Sequence, residues 1–280
     1  MPGLMKRIGL IAGNGMFPIE FAKAAKRKGL TVVAVAHEGE TMRELEQVAD
    51  SVFWIKVGQL GRLIKIFKEQ GVADALMAGG IKKTRLFGGA MPDLRGAALL
   101  ARMLYKKDDS ILRAVAEELE SEGITVHEST LFLDDMLAPA GVLTGRRPTK
   151  DEQKDIKFGW YMAKEIGRLD IGQTVVVKGQ AVLAVEAIEG TDEAIRRGGV
   201  LGNGGAVVVK VCKPHQDLRF DLPAAGIQTI KTMAEVNASC LAVEAGKTII
   251  LERDAVVKEA DSLGIAIVGI EENAILTEGE

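Results

Sequence analysis

The sequence predicts an α/β protein of two domains, an N-terminal parallel-sheet domain and a C-terminal domain of mixed α/β character. Two observations carry that expectation. Short apolar runs alternate with segments of helical spacing from residue 7 to residue 78, the pattern of strands joined by crossover helices. The alternation resumes after residue 150, now with two runs, 174–178 and 181–188, close enough in sequence to form a hairpin. Between them GVLTGRRPTK, residues 141–150, is rich in Gly and basic residues and lacks apolar periodicity. It reads as a linker, dividing the chain into 1–140, 141–150 and 151–280.

Each element has a local reason. Arg7–Ala12 (RIGLIA) is a buried-strand pattern, Gly13-Asn14-Gly15 a turn, and Met16–Lys28 a helix that Gly29 ends as a C-cap. Leu30–Ala36 and Val52–Val57 are further strands, Gly61–Gln70 a helix and Ala73–Ala78 a strand, an order that makes the N-terminal domain Rossmann-like. Asp93–Lys107 and Ser110–Glu122 read as helices, and Ile124–His127 as a strand. In the second half, helices are expected at Lys154–Leu169, Ile227–Ala238 and Arg253–Leu263. Strands are expected at Ala206–Val211, Cys240–Val243, Thr248–Leu251 and Ile265–Ile270.

Composition excludes several classes. A net charge of −3 and an aromatic content of 4% leave neither the basic patch nor the stacking platform of a nucleic-acid binder. Cys212 and Cys240 form no CxxC pair or disulfide framework, so a reducing compartment is expected. The opening lacks an apolar leader core, and no run reaches about 18 apolar residues. A soluble, cytoplasmic protein is the expectation.

Five segments carry groups capable of chemistry. Gly13-Asn14-Gly15 sits between a strand and a helix, where glycine admits close approach of a phosphate and the helix start offers free N–H groups. A plain tight turn would use the same residues. An NAD fingerprint would need glycine where Pro18 stands and an acidic residue ending the second strand, where the chain reads AVAHEGE. Gly79, Gly80 and Lys82 follow the strand ending at Ala78 and can flank the same strand-end pocket. A surface turn with solvated lysines is the alternative. Asp109, before a helix, reads either as a cap or as a ligand contact.

Glu186-Ala-Ile-Glu-Gly190-Thr191-Asp192 runs a strand into a turn with three carboxylates and a hydroxyl. Oxygen donors suit Mg²⁺, so Glu186 and Asp192 are metal candidates and Gly190 and Thr191 substrate contacts. Thr191 or Asp192 as an N-cap explains the same residues. The fifth segment gathers Lys210, Lys213, Gln216, Asp217, Arg219, Asp221 and Thr229. That mixture can bind a pyrophosphate and activate a water beside it; a solvated loop with surface ion pairs is the alternative. His37, His127 and His215 show no metal-ligand spacing.

In this order the segments resemble the LpxI-type UDP-2,3-diacylglucosamine pyrophosphatases of lipid A biosynthesis. The matching stretches are IGLIAGNGMFP (8–18), AGGIKK (78–83), KKDDSILRAVAEELE (106–120), VEAIEGTDEAIRRGG (185–199), KPHQDLRFDLPAAGIQT (213–229) and LAVEAGKTIILER (241–253). EGTD and DLRFDLP are the specific parts.

The resemblance implies a Mg²⁺-dependent hydrolase of two α/β domains. It would cleave UDP-2,3-diacylglucosamine to UMP and 2,3-diacylglucosamine 1-phosphate (lipid X), with water attacking phosphorus. It places the key aspartate at Asp221, with Asp217 second, and the protein in the cytoplasm or peripherally at the inner face of the inner membrane. A homodimer is compatible with the sequence, though no pattern specifies one. The residues agree with this chemistry: Lys210, Lys213 and Arg219 supply cationic charge for the pyrophosphate, and Asp221 with Asp192 or Glu186 can place metal or water. The apolar stretch Met91–Leu104 is a candidate wall for the acyl chains. A non-catalytic UDP-sugar-binding module is the alternative reading.

Overall fold

The computed structural model describes residues 6–81, 91–103, 109–214, 216–220 and 222–276. The chain forms two compact units. Unit 1 runs to Leu133 and takes in Leu218–Phe220; unit 2 begins at Asp134 and holds the remainder.

In unit 1, β1 (Arg7–Ala12), β2 (Thr31–His37), β3 (Ser51–Ile55), β4 (Asp74–Ala78) and β5 (Thr125–Val126) form a sheet in the order β3-β2-β1-β4-β5. Every neighbouring pair is parallel. The central strands are continuous apolar runs because helices cover both faces. α1 (Phe17–Arg27) starts with Pro18, whose missing N–H is no loss in a first turn. α2 (Leu60–Glu69) and α4 (Asp109–Ser121) deliver Leu63, Ile64, Phe67 and Leu119 to the core. Gly9 is needed in β1 because a Cβ there would sit 2.7 Å from Val72 and 2.8 Å from the Phe67 ring. The strand order reverses at β1, which puts a switch-point crevice at the carboxyl ends of β1 and β4.

The helix expected at Asp93–Lys107 is α3 (Leu94–Met103), and Asp93 precedes it: its carboxylate accepts from Gly96 N (2.9 Å) and Arg62 N (3.0 Å). Leu218–Phe220 join this unit through Ser129, whose N–H donates to the Leu218 carbonyl (3.0 Å), and through Phe220, which packs on the core.

Unit 2 holds β6 (Gly141–Val142), β7 (Thr174–Lys178), β8 (Ala181–Val185), β9 (Val207–Lys210), β11 (Cys240–Glu244) and β13 (Ala266–Ile270) in one sheet. Their order is β6-β13-β11-β9-β7-β8. β13, β11 and β9 are mutually parallel, while β6 and the β7–β8 hairpin introduce antiparallel pairs. β10 (Ala224–Ala225) and β12 (Ile249–Ile250) form a separate parallel pair. The hairpin turn puts Gly179 and Gln180 at φ near +58° and +57°. Asp155 steadies it by accepting from both of their N–H groups, at 2.9 and 2.5 Å.

The stretch 141–150 does more than connect. Val142 pairs with Val268 as an edge strand, and Thr149 caps α5 (Lys150–Arg168) in a reciprocal capping box with Glu152. The helix therefore begins one turn before the expected Lys154. Helices α6 (Thr191–Gly202), α7 (Ile227–Glu235), α8 (Arg253–Ser262) and α9 (Glu272–Leu276) complete the unit.

Candidate active site

At the carboxyl edge of the unit 2 sheet, three strands end in charge. β9 ends at Lys210, β11 ends at Glu244, and Glu186 follows β8, which the two antiparallel steps through β7 turn back to the direction of β9. Lys210 is 4% exposed and Glu186 8% exposed. Lys210 Nζ donates to Thr191 Oγ1 at 2.8 Å, and that hydroxyl donates to Glu186 Oε1 at 2.7 Å. Glu186 Oε2 also accepts from Gln173 N at 3.4 Å. A buried ammonium and a buried carboxylate are thus joined through one hydroxyl, which offsets part of the cost of taking both out of water.

The N-cap of α6 is Gly190, at φ +88°, with no side-chain cap. Thr191 and Asp192 lie inside the helix, so neither acts as the cap, and Thr191 instead links Lys210 to Glu186. Asp192 is half-buried in the first helical turn, where the N–H dipoles favour a carboxylate.

The turn after β9 is tied down by its own side chains. Lys213 Nζ donates to Asp170 (2.7 Å), and Gln216 Oε1 accepts from Lys213 N (2.8 Å). Gln216 Nε2 reaches Gln173 Oε1 (3.4 Å), so its carboxamide is engaged in holding the turn. Asp217 is half-buried. Thr229 is buried in the first turns of α7. Arg219 belongs to unit 1, where it donates to Glu120 (3.2 Å) and lies 4.9 Å from the Phe220 ring centroid. Asp221, His215 and Lys82 lie outside the described residues, as does the side chain of Asp109.

A charged cluster that sequence reasoning passed over lies on the same edge. Glu244, 2% exposed, accepts from Lys164 Nζ (2.7 Å), Lys247 Nζ (2.8 Å) and Cys212 N (2.8 Å). Lys164 Nζ also donates to the Cys212 carbonyl (3.1 Å), so this ion pair grips both the N–H and the carbonyl of Cys212, just before Lys213. The Glu244 carboxylate beside it holds the Lys247 ammonium above the usual lysine range. The readable signal was a carboxylate ending an apolar strand, CLAVE, at the edge where ligands gather in such sheets.

Glu186, Asp192 and Thr191 offer the hard oxygen donors that Mg²⁺ prefers. Among the described residues no group of three or more acidic, His or Cys side chains surrounds a metal position. The donor set fits the sparse binding mode of Mg²⁺, in which one or two carboxylates act together with substrate phosphates and waters.

In unit 1 the glycine loops meet each other. Gly13 N donates to the Ala78 carbonyl (2.8 Å) and Asn14 N to the Gly80 carbonyl (2.7 Å). A Cβ on Gly13 would lie 2.4 Å from Gly80 O, and one on Gly79, at φ +78°, 2.3 Å from Asn14 O. The Asn14 side chain points to Glu40 Oε2 at 3.3 Å. Loop closure therefore uses the Gly13 and Asn14 amides, and the N–H groups that the helix start offers lie beyond them. In this loop the N–H groups of Gly15, Met16 and Phe17, at the start of α1, have no acceptor among the described residues. Gly15 faces open space.

Beside this edge unit 1 carries a half-open apolar pocket of about 130 Å³. Ile11, Ile55, Leu63 and Met77 wall it from the sheet and α2, and Leu99 and Leu100 of α3 close another side. His37 and Gln59 are its polar neighbours.

The comparisons with known proteins run the length of the chain. Residues 7–136 match the family model of the LpxI N-terminal domain, and residues 139–268 that of the LpxI C-terminal domain. The chain is 34% identical over 278 residues to the UDP-2,3-diacylglucosamine pyrophosphatase LpxI of Caulobacter vibrioides, covering 95% of this chain and 98% of that protein. Among solved structures it is similar to the biotin carboxylase domain of Hydrogenobacter thermophilus 2-oxoglutarate carboxylase, at 15% identity and a TM-score of 0.25 over 63% of this chain and 35% of that one. It is similar also to N5-carboxyaminoimidazole ribonucleotide synthetase, at 15% identity and a TM-score of 0.28 over 69% and 44%. The chain spans less than half the length of those two structures, and likeness at that level carries no argument.

Proposed function

The chain belongs to the LpxI family, and from that premise we propose that it is a hydrolase of UDP-2,3-diacylglucosamine in lipid A biosynthesis. The observation that carries this reading is the 34% identity to the Caulobacter vibrioides pyrophosphatase across nearly all of both chains. Water adds to one phosphorus of the pyrophosphate, the bond from that phosphorus to the bridging oxygen breaks, and the products are UMP and 2,3-diacylglucosamine 1-phosphate. Glu186, Asp192 and Asp221, together with substrate phosphates, would hold Mg²⁺, which would supply charge neutralisation at the phosphoryl oxygens.

The chain's own residues do the rest. Lys210, fixed through Thr191, presents a buried ammonium toward negative charge on the substrate, and Lys213 and Arg219 add to that field. Asp221, with Asp217 second, orients the attacking water. Gly190, Thr191, Gln216 and Thr229 contact the substrate in unit 2. In unit 1 the loops at Gly13, Asn14, Gly15, Gly79 and Gly80, with Lys82 and Asp109, hold the nucleotide portion, and the apolar cavity takes part of an acyl chain. No helix among the described residues is long and apolar enough to cross a membrane. The proposed lipid substrate is reached from the cytoplasm, at the inner face of the inner membrane.

Incubation of the protein with UDP-2,3-diacylglucosamine, with Mg²⁺ or with EDTA, tests the proposal. UMP release with the metal and its loss with EDTA are expected. Asp221→Ala is expected to keep substrate binding and lose about a thousandfold in turnover, within the range of a positioned acid–base group. Substrate binding without UMP release under any divalent metal makes the protein a binding module, and full activity in Asp221→Ala removes that residue from the centre.

A further inference from the structure

Thr191 has a conflict to resolve before it can contact a phosphate. A threonine hydroxyl has a single proton to donate. In this structure that proton goes to Glu186 Oε1 at 2.7 Å, while the oxygen accepts from Lys210 Nζ at 2.8 Å. Phosphoryl oxygens are acceptors, so a bond from the half-buried Thr191 to one of them must take the proton away from Glu186. That carboxylate is 8% exposed, and its other oxygen accepts a long bond from Gln173 N at 3.4 Å. Losing the hydroxyl without a replacement is costly, because a buried carboxylate is then left short of a donor.

A replacement stands in the strand between the two charges. β7 runs between β9 and β8, and Thr174 opens it. On one side Thr174 pairs with Lys210. On the other, Val175 pairs with Val185 and Glu186 N donates to the Thr174 carbonyl (2.9 Å), which sets Thr174 across from Glu186. Residues opposite each other in an antiparallel ladder project to the same face. Two positions deeper on the same three strands, Val208, Val176 and Ala184 share one core cluster with Ile195 of α6. Lys210, Thr174 and Glu186 therefore form a row on the face that α6, and with it Thr191, covers. Thr174 is 0% exposed, and among the described residues its hydroxyl has no hydrogen-bond partner. A buried hydroxyl in that state lowers stability, and a valine of the same shape carries no such penalty.

We propose that Thr174 is a positioning residue of this site: its hydroxyl takes over as donor to Glu186 when Thr191 turns its proton to a phosphate oxygen. The proposal rests on the reading of Thr191 as a substrate contact. No proton passes between residues in the exchange. Each hydroxyl rotates about its C–O bond, Lys210 keeps its bond to the Thr191 oxygen, and Glu186 loses one O–H donor and gains another. The hydroxyl that is idle in the empty site becomes satisfied in the loaded one, so its penalty disappears as the anion binds.

Inorganic pyrophosphate, titrated into the intact protein in EDTA and followed by calorimetry, is the probe. Thr174→Val is expected to bind it about tenfold more weakly, the worth of one hydrogen bond to a charged group, while the urea midpoint stays level or rises. Thr174→Ser, which keeps the hydroxyl, is expected to stay within about twofold of the unaltered protein. Thr191→Val should show the same tenfold loss as Thr174→Val, and the double variant should lose no more than about twofold beyond either, because the two hydroxyls act as one device. A purely structural hydroxyl would move the urea midpoint and leave the affinity alone.

Unchanged affinity in Thr174→Val, a loss shared by Thr174→Ser, losses that multiply in the double variant, or no binding of pyrophosphate to the unaltered protein overturns the proposal. Should Thr174→Val not fold, the NMR signal of the Thr174 methyl in the unaltered protein decides: it shifts with pyrophosphate if the hydroxyl changes partner, and an unmoved signal sinks the idea. UMP release from UDP-2,3-diacylglucosamine is assayed on the same preparations. Release with unchanged pyrophosphate affinity in Thr174→Val removes only the role of Thr174, and coupled affinity losses without release remove only the hydrolysis.

Discussion

Both units gather their candidate groups at the carboxyl ends of parallel strands, yet they build those edges from opposite materials. Unit 1 closes its edge with backbone: the Gly13 and Asn14 amides are spent on the Ala78 and Gly80 carbonyls, and an apolar chamber with one imidazole lies beside them. Unit 2 ends its strands in buried charge, with Lys210 and Glu186 joined through Thr191, and Glu244 held between Lys164 and Lys247. A glycine-rich turn after a first strand thus marks a close approach of chains before it marks a phosphate site. Charge stabilisation is a property of the edge where ionised groups are already desolvated and paired.

The contrast can be broken most severely in unit 2. Lys210→Met removes the ammonium and is expected to lower turnover about a hundredfold, the scale of one lost electrostatic donor, with folding checked by circular dichroism. Wild-type turnover in this variant would locate the charge stabilisation elsewhere. Glu244→Ala leaves Lys164 and Lys247 without their shared carboxylate. It is expected to cost about 1–3 kcal/mol in urea denaturation, because the buried Cys212 N–H loses its acceptor and the partly buried Lys164 its counter-charge.

Unit 1 is expected to respond through its backbone. Gly79→Ala forces a Cβ against Asn14 O at positive φ and should cost about 2–4 kcal/mol, whereas Gly15→Ala, at φ +83° in open space, should cost about 1–2 kcal/mol. Equal losses at the two sites would mean that the loops are not in contact in solution.

A smaller effect is expected from pH. The His37 pKa is lowered in the folded state, so between that value and its ordinary 6.5 the unfolded chain takes up the proton first. Its contribution to stability is complete above about 6.5 and declines as the pH falls below that. Glu40 is the titratable group facing it and opposes the shift. The wild-type Tm should therefore fall more steeply than that of His37→Phe on acidification from pH 6.5, and parallel curves would contradict a buried neutral imidazole. The smallest loss is expected for Thr149→Ala, about 1 kcal/mol for the missing cap of α5.

The legibility of the chain followed the same division. The strands of unit 1 could be read because a parallel strand covered on both faces is a continuous apolar run, and RIGLIA and TVVAVAH are such runs. β6 could not, since two residues have no period and its pairing with β13 joins positions more than 120 residues apart. The capping box at Thr149 and Glu152 was legible as T-x-x-E, but the Gly- and Arg-rich stretch before it read as a connector. Thr191 had the residue type of a cap, and only Gly190 in the capping position released it to bridge Lys210 and Glu186.

By itself the sequence determined the α/β class, the five chemistry-bearing segments and the family, because period, turn residues and local motifs are written in consecutive positions. The tertiary structure decided which of those groups remain available. It consumed the Gly13 and Asn14 amides, drew Arg219 into unit 1, joined Lys210 to Glu186 and added Glu244 to the edge. The physical reason is that a hydrogen bond or ion pair depends on distance and desolvation, and both are set by strands that the sequence keeps far apart.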